Sequence, residues 1–232
     1  MPPMSKRLLA LSLSISAVLA ACNADTHSAP AAPGAVSQTA APAATDPAKE
    51  AEMPTLMSED INQLVPAGMT LVDSVRGDLT GQGHADALLV AAPPTAPETE
   101  LGQGSPRSVL LLRNDGNGKL QVAARNDRLV PCERCGGIAG DPYAYSRIDG
   151  GKFTVSVSGG SRQRWASDYH FQYQPQDNSW QLVSVTREIT DTVTGQNQRQ
   201  QLEADALDGA LSFADFDPAG LPAAPELEDE LN

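Results

Sequence analysis

A short stretch of hydroxyl and guanidinium side chains lies between two alternating runs in the second half of the chain. The run from Phe153 to Ser158 and the run that ends at Tyr173 alternate apolar and polar residues, which is typical of half-buried strands. Loops on rigid sheets commonly carry function, and guanidinium groups form strong hydrogen bonds to carboxylates. The loop 158–164 is therefore predicted to bind an acidic site on a target. Its candidate residues are Ser158, Gly159, Gly160, Ser161, Arg162 and Arg164.

A second group of candidate residues precedes the apolar run that starts at Ala87. From Asp78 to Asp86, oxygen donors fall at positions 1, 3, 5 and 9 of a loop in which Gly83 allows a sharp turn. Alternate positions in such a loop can converge on one hard cation. The candidate ligands are Asp78, Thr80, Gln82, His84 and Asp86. Because only two of them are carboxylates, the expected ion is a weakly bound Ca²⁺, and the alternative is a metal-free polar turn.

No catalytic set is evident in the sequence. The Ser-Gly-Gly-Ser stretch that begins at Ser158 lacks the strand–turn–helix setting of a nucleophile elbow. His170 follows Asp168 closely on one strand, a spacing expected for surface pairing rather than for a general base. The chain is therefore not expected to be an enzyme.

The N-terminus has the features of an export signal. Two basic residues precede the apolar run 8–18, which is too short to span a bilayer as a stable helix. Leu19-Ala-Ala-Cys22 then resembles the lipobox of bacterial lipoproteins, which implies cleavage before Cys22 and attachment to a membrane through lipid on that cysteine. The alternative is an ordinary signal peptide with an accidental cysteine. Asn23 resembles the sorting signal for the outer membrane in enteric bacteria, so the expected location is the periplasm with an outer-membrane anchor.

Composition divides the chain into four segments. Residues 1–21 are the lipoprotein signal peptide, and residues 22–55 are rich in Ala and Pro, cannot bury a core and are expected to form a disordered tether. Residues 56–221 are long enough for one domain. Residues 222–232 form an acidic tail.

The chain is strongly acidic. It has 16 basic and 29 acidic residues, a net charge of −13 with neutral histidines. The signal peptide contains two of the basic residues and no acidic one, so its removal changes −13 to −15. This charge excludes non-specific binding to nucleic acid and favours basic partners or cations.

Cys132 and Cys135 form a Cys-x-x-Cys motif, and they are the two cysteines that remain once Cys22 is acylated. In an oxidising envelope, a disulfide between them is the favoured interpretation. A redox role would need a thioredoxin-like βαβ context, which the pattern lacks, and a structural zinc would need two further ligands. Free or redox thiols and a metal site remain the alternatives.

Turn signals recur through residues 56–221, and helical periodicity is confined to a short segment, 58–64, with Ser58 as its N-cap. A hairpin is predicted at 114–118 and a long exposed loop at 93–106. The class is therefore mainly β, an antiparallel β-sandwich or a propeller-like sheet assembly. The predicted strands are 70–75, 86–91, 108–113, 119–124, 152–158, 164–173, 180–187 and about 197–203.

The candidate cation loop resembles the Asp-x-Asn-x-Asp-Gly-x-x-Asp calcium loop of FG-GAP and VCBS repeats. The resemblance extends through Val109 to Gly118, as in one blade of those repeats. Thr80 and Gln82 depart from it, because the repeats usually have Asn and Asp at these two positions. One such motif is present in the sequence, so a complete propeller of repeats is not expected.

A wider pattern connects the cysteine motif to the cationic loop. Cys-x-x-Cys, the Gly-Asp-Pro-Tyr sequence that ends at Tyr143 and the Ser-Gly-Gly-Ser-x-x-Arg-Trp sequence that ends at Trp165 together resemble bacterial immunity lipoproteins. Those proteins neutralise lysozyme-like effectors of antibacterial type IV secretion systems, and the resemblance covers about residues 76–187. The Ser-Gly at 158–159 is also similar to the loop that periplasmic lysozyme inhibitors insert into the enzyme. Arg162 stands where the inhibitors have Tyr.

These resemblances imply an envelope-anchored protein that binds and inhibits a lysozyme-like peptidoglycan hydrolase through the loop 158–164. The alternative is a calcium-binding structural or interaction lipoprotein of the envelope with no enzyme target. Two further alternatives are that the pattern marks only a structural hairpin of such lipoproteins, and that the chain is an envelope hydrolase, which has the least support.

Overall fold

The computed structural model describes residues 61–208 and 211–227, and this part of the chain is mainly β. Nine strands form two antiparallel sheets, of four and five strands, in which neighbours in sequence are neighbours in space. The first sheet comprises β1 (Thr70–Gly77), β2 (Asp86–Ala92), β3 (Arg107–Asn114) and β4 (Leu120–Val130). The second comprises β5 (Tyr143–Asp149), β6 (Lys152–Gly160), β7 (Gln163–Gln174), β8 (Ser179–Asp191) and β9 (Asn197–Glu203). The mainly β antiparallel prediction is confirmed.

All eight predicted strands are present, and the structure adds β5, which the sequence does not predict. β5 is an edge strand with no fully buried residue. Its pairing with β6 shifts between Tyr143 and Tyr145, so its side chains do not follow a strict alternation. Three short 3₁₀ helices are present among the described residues: Gly137–Ala139 lies between β4 and β5, and Ala204–Ala206 and Pro218–Gly220 follow β9.

One core lies between the two sheets. Aromatic side chains of the second sheet face aliphatic side chains of the first, such as Val90 and Leu111. The rings of Phe153 and Phe171 stack with their centroids 5.0 Å apart, and Phe213 meets both rings edge-on at 5.4 Å. Buried apolar area is the main favourable term in folding, so this aromatic layer is expected to dominate the stability of the domain.

The outer face of the first sheet carries a second apolar cluster. Ile61 and Leu64 pack there against side chains such as Leu89 and Leu112. β2 and β3 are thus buried on both faces, which explains why their sequences are continuous apolar runs rather than alternating ones. Residues 61–63 are helical, as predicted for 58–64. The predicted cap, Ser58, lies outside the described residues.

The C-terminal segment closes the core between the sheets. The buried side chain of Asn126 on β4 donates to the backbone carbonyls of Phe213 and Phe216, at 2.5 and 2.8 Å. Phe213 in turn pairs its backbone N–H with the carbonyl of Trp180, at 2.7 Å. The segment therefore joins β4 of one sheet to β8 of the other.

The signal peptide 1–21, Cys22 and the tether 22–55 lie outside the described residues. Within 61–208 and 211–227, no helix is long and apolar enough to cross a membrane.

Candidate functional site

The predicted loop 158–164 is a tight β-hairpin, so its predicted extent is wrong. β6 continues to Gly160 and β7 begins at Gln163, which leaves Ser161 and Arg162 as the turn. The three residues before the turn pair with residues of β7 instead of forming a loop; the pairs are Ser158 with Ala166, Gly159 with Trp165, and Gly160 with Arg164. The candidate residues are thus brought together on a rigid ladder.

The two glycines before the turn are required by close packing. A Cβ on Gly159 would lie 2.6 Å from a ring carbon of Trp165 and 2.8 Å from the carbonyl oxygen of Gly136. A Cβ on Gly160, where φ is +106°, would lie 2.0 Å from the carbonyl oxygen of Gln163. Real side chains do not fit at these distances. The sequence indicates glycine flexibility here, whereas the structure uses the glycines for close approach.

The segment 132–142 packs along the hairpin through its backbone. The N–H of Gly160 donates to the carbonyl of Gly136, and the N–H of Ser158 donates to that of Pro142, both at 2.8 Å. The disulfide between Cys132 and Cys135 is present, with Cα atoms 5.1 Å apart. It closes a small loop immediately before Gly136. We call residues 132–142, 158–164 and 191–196 the glycine-rich end.

Arg162 pairs with an acid of its own chain. Its Nε lies 2.8 Å from a carboxylate oxygen of Asp191, whose side chain is 6% exposed while that of Arg162 is 61% exposed. The backbone N–H and the hydroxyl of Thr192 both donate to the carbonyl of Arg162, at 3.0 and 2.9 Å. The turn that follows β8 therefore supports the Ser161–Arg162 turn from one side. The sequence reasoning missed Asp191, because its partner lies far away along the chain.

Asp191 also closes its own turn. Its carboxylate accepts hydrogen bonds from the backbone N–H groups of Val193 and Thr194, at 2.8 and 3.0 Å. The bond from Thr194, the bond from Val193 and the charge of Arg162 hold the pKa of Asp191 below its ordinary value. An Asp followed by Gly195 within a few residues is a turn signal that could have pointed to this loop.

Arg164 projects from the start of β7 and is exposed. Together with Ser158, Trp165, Glu188 and Thr190 it lines a groove of about 280 Å³ beside the turn. Arg164 forms no ion pair with any residue that the structure describes. It is therefore the cationic side chain of the glycine-rich end that is best placed to meet a carboxylate of another molecule.

The candidate cation loop is organised around the carboxylate of Asp78. One oxygen accepts from the N–H groups of Thr80, Gly81 and Gln82 and from the hydroxyl of Thr80, and the other accepts from the N–H of Gly83 at 2.6 Å. Burial raises the pKa of Asp78, but the hydrogen bonds from these backbone groups outweigh burial and lower it. A carboxylate has about four lone-pair sites. Five donors therefore leave Asp78 little capacity for a metal ion.

The second carboxylate of the loop has a different set of partners. Asp86 is buried, and it accepts from the N–H of Leu79 at 3.0 Å and from the N–H of Asn114 at 2.9 Å. Gln82 and His84 are exposed. Among residues 61–208 and 211–227, no group of three or more His, Cys, Asp or Glu side chains could hold a metal. Ca²⁺ binding by this loop stays a prediction.

His170 and Asp168 lie on β7 and contact hydroxyl groups of the neighbouring strand. Each meets a hydroxyl of β6: Asp168 accepts from Ser156 at 2.6 Å, and Nδ1 of His170 lies 2.9 Å from the hydroxyl of Thr154. Burial lowers the pKa of His170, which keeps the imidazole neutral at pH 7.

The chain matches no protein-family model, no curated protein and no solved structure. The glycine-rich end is thus judged by its own geometry: a short turn held on both sides, with guanidinium groups at its surface.

Replacing Asp191 with Asn should lower the melting temperature at pH 7, since Asn cannot pair with the charge of Arg162. The pKa of Asp191 is depressed in the folded protein, so its stabilising effect is present above the ordinary value of 3.8 and is lost as pH falls through the folded-state pKa. Melting curves of wild type and Asp191→Asn should therefore converge as pH is lowered through that range. A difference that stays constant at every pH would contradict this account.

Replacing Asp78 with Ala should destabilise the domain by about 1–2 kcal/mol in EGTA, because several backbone donors lose their acceptor without any ion being involved. If the loop binds Ca²⁺, the dissociation constant should be on the order of 10⁻⁴–10⁻³ M, as in weak extracellular modules. Denaturant titrations with EGTA and with millimolar calcium measure both effects. Identical wild-type curves in the two conditions would mean that the loop is a metal-free turn.

Proposed function

We propose that the chain is an envelope-anchored lipoprotein that binds and inhibits a lysozyme-like peptidoglycan hydrolase through residues 158–164. The observation that carries the proposal is the hairpin turn at Ser161 and Arg162. Gly136 and Thr192 hold it from its two sides, and it presents Arg162 and Arg164 to solvent. A turn that is already ordered loses little conformational entropy when it binds.

The chemistry of the turn suits the cleft of such an enzyme. Glycoside hydrolases of this kind use two carboxyl groups that flank the bond they cleave. Arg164 has no described acidic partner, and the guanidinium of Arg162 has five N–H donors, so it can bind a second acceptor while its Nε contacts Asp191. A guanidinium bound to the catalytic carboxylates would exclude the substrate and block proton transfer. Inhibition would be reversible and would not consume the inhibitor.

The charge and anchor of the chain fit this role. A net charge of −15 after removal of the signal peptide favours encounter with a basic hydrolase, while the local cations select its acidic cleft. In this proposal, lipid on Cys22 attaches the protein to the outer membrane, and residues 22–55 let the domain reach enzymes in the periplasm. Its partners are the hydrolase and the membrane.

The second candidate function is a calcium-binding structural or interaction lipoprotein of the envelope. It depends on the loop from Asp78 to Asp86, and the calcium titration above tests it. The Asp78 carboxylate is already occupied by hydrogen bonds, so we favour the inhibitor proposal.

Replacing Arg164 with Ala should weaken inhibition about thirtyfold or more, the effect expected when a desolvated charged contact of about 2 kcal/mol is lost. The measurement is the inhibition constant of the full-length chain in a peptidoglycan lysis assay, with a lysozyme-like hydrolase co-purified with the chain from periplasmic extract. Stability should change by no more than about 0.5 kcal/mol, because the side chain is exposed.

Arg147→Ala is the matched control. Arg147 is an exposed arginine of the same sheet, opposite Thr154 on β6 and thus away from the turn. Its removal should leave inhibition unchanged. Equal effects of the two substitutions would mean that inhibition depends only on net charge. If the wild-type chain does not reduce lysis, the proposed function is refuted.

A further inference from the structure

The most exposed large apolar side chains of the described residues belong to the glycine-rich end or border it. Ile138 is 79% exposed, Val193 is 74% exposed and Leu101 is 57% exposed, against 47% or less for the others. The neighbour of Leu101, Gly102, donates its N–H to the carbonyl of Arg134 at 2.8 Å, so Leu101 lies beside this end. Single exposed apolar residues are common, so these side chains indicate an interaction surface only through where they lie relative to the cationic turn.

Ile138 lies on one side of the hairpin turn. It is the middle residue of the 3₁₀ helix Gly137–Ala139, which buries none of its residues. The helix is held against β6, since a Cβ on Gly137 would lie 3.4 Å from the carbonyl oxygen of Gly160. Ile138 is therefore presented to solvent by a fixed backbone, and burial within its own chain gives no reason for an apolar residue there.

Val193 lies on the other side of the turn. The carboxylate of Asp191 accepts from its N–H at 2.8 Å, and Thr192 beside it donates to the carbonyl of Arg162. β-branched residues favour strands, and turns favour Gly, Asn, Asp, Ser and Pro. Local structure therefore gives no reason for valine at this position.

The strand order explains this arrangement. β6 and β7 carry the turn and lie between β5 and β8 in the sheet. Ile138 precedes β5 and Val193 follows β8, so the two apolar side chains flank the turn. An apolar residue on each side of a cationic centre is the arrangement expected for a surface that enters a cleft.

We infer that Ile138 and Val193 are apolar anchors that contact the walls of the target's cleft on either side of the Ser161–Arg162 turn. This inference rests on the proposed function, because it names the lysozyme-like hydrolase as the partner. The matching surface is a cleft with carboxylates at its floor and apolar side chains on both rims. Association with a second copy through this face is disfavoured by the net charge of −15 on each chain without its signal peptide.

The test compares binding of full-length wild type, Ile138→Ser and Val193→Ser to a lysozyme-like hydrolase co-purified with the chain from periplasmic extract, and to a C-type lysozyme as a second probe. Each substitution should raise Kd for the hydrolase about tenfold or more, as loss of an interface anchor does. Val122→Ser is the matched control: Val122 is 47% exposed on β4 of the other sheet, and its replacement should leave Kd within about twofold. Circular dichroism confirms that each variant is folded.

The outcomes separate the two proposals. If Ile138→Ser and Val193→Ser bind as wild type does while Arg164→Ala binds weakly, the anchors are refuted and the inhibitor proposal survives. If wild type binds neither enzyme, both proposals are refuted. If sedimentation shows a wild-type dimer that Val193→Ser dissociates, the face joins copies of this chain and the inference is overturned.

Discussion

The glycine-rich end depends on a close backbone contact between Gly160 and Gly136, which is possible because glycine has no side chain. The N–H of Gly160 reaches the carbonyl of Gly136 at 2.8 Å, and the Trp165 ring lies against the Cα of Gly159. A side chain at Gly159 or Gly160 would collide with its neighbours at less than 3 Å. The position of the hairpin turn relative to 132–142 is therefore fixed by the backbone rather than by adjustable side chains. A rigid turn of this kind is the property that an inhibitory surface needs, since ordering a flexible loop would reduce affinity.

Side-chain patterns predicted the strands well because burial controls them. Alternation predicted β6 and β7, and the apolar runs of β2 and β3 were recognised although both of their faces are buried. β5 was not predicted, because an edge strand with a shifted register buries too little to impose a pattern. The polar part of β4 was not predicted either, because Asn126 is buried there to bind the C-terminal segment. That contact depends on residues far along the chain, which a local pattern cannot contain.

The sequence predicts candidate residues, but it does not predict the interactions that those residues make within the chain. The sequence places Arg162 at the centre of a cationic loop and contains no indication of its pair with Asp191. The Asp78 loop was recognised from the spacing of its oxygen donors, whereas its carboxylate binds the loop's own N–H groups. In both cases the candidate group already has a partner in its own chain: Arg162 pairs with Asp191, and Asp78 accepts hydrogen bonds from its own loop. Arg164 consequently becomes the principal candidate for contact with a target.

The two ends of the second sheet have different roles in this account. The N–H of Gly151, at the turn between β5 and β6, donates to the carbonyl of Asp78 at 2.8 Å, which places the Asp78 loop at the end of β6 opposite to Gly160. That end joins the two sheets, and Trp180 strengthens the junction by donating its indole N–H to the carbonyl of Leu79 at 2.7 Å. The glycine-rich end carries exposed cations and apolar side chains instead. Stability and binding are thus assigned to opposite ends of the fold.

Hydrogen–deuterium exchange of the full-length chain, alone and with a lysozyme-like hydrolase co-purified with it from periplasmic extract, tests the central claim most directly. The account predicts slower exchange on binding at the amides of residues 137–139, 161–164 and 192–195, with no change in the Asp78 loop. Protection confined to residues 78–85 and 114–119, or no protection anywhere at saturating hydrolase, would contradict it.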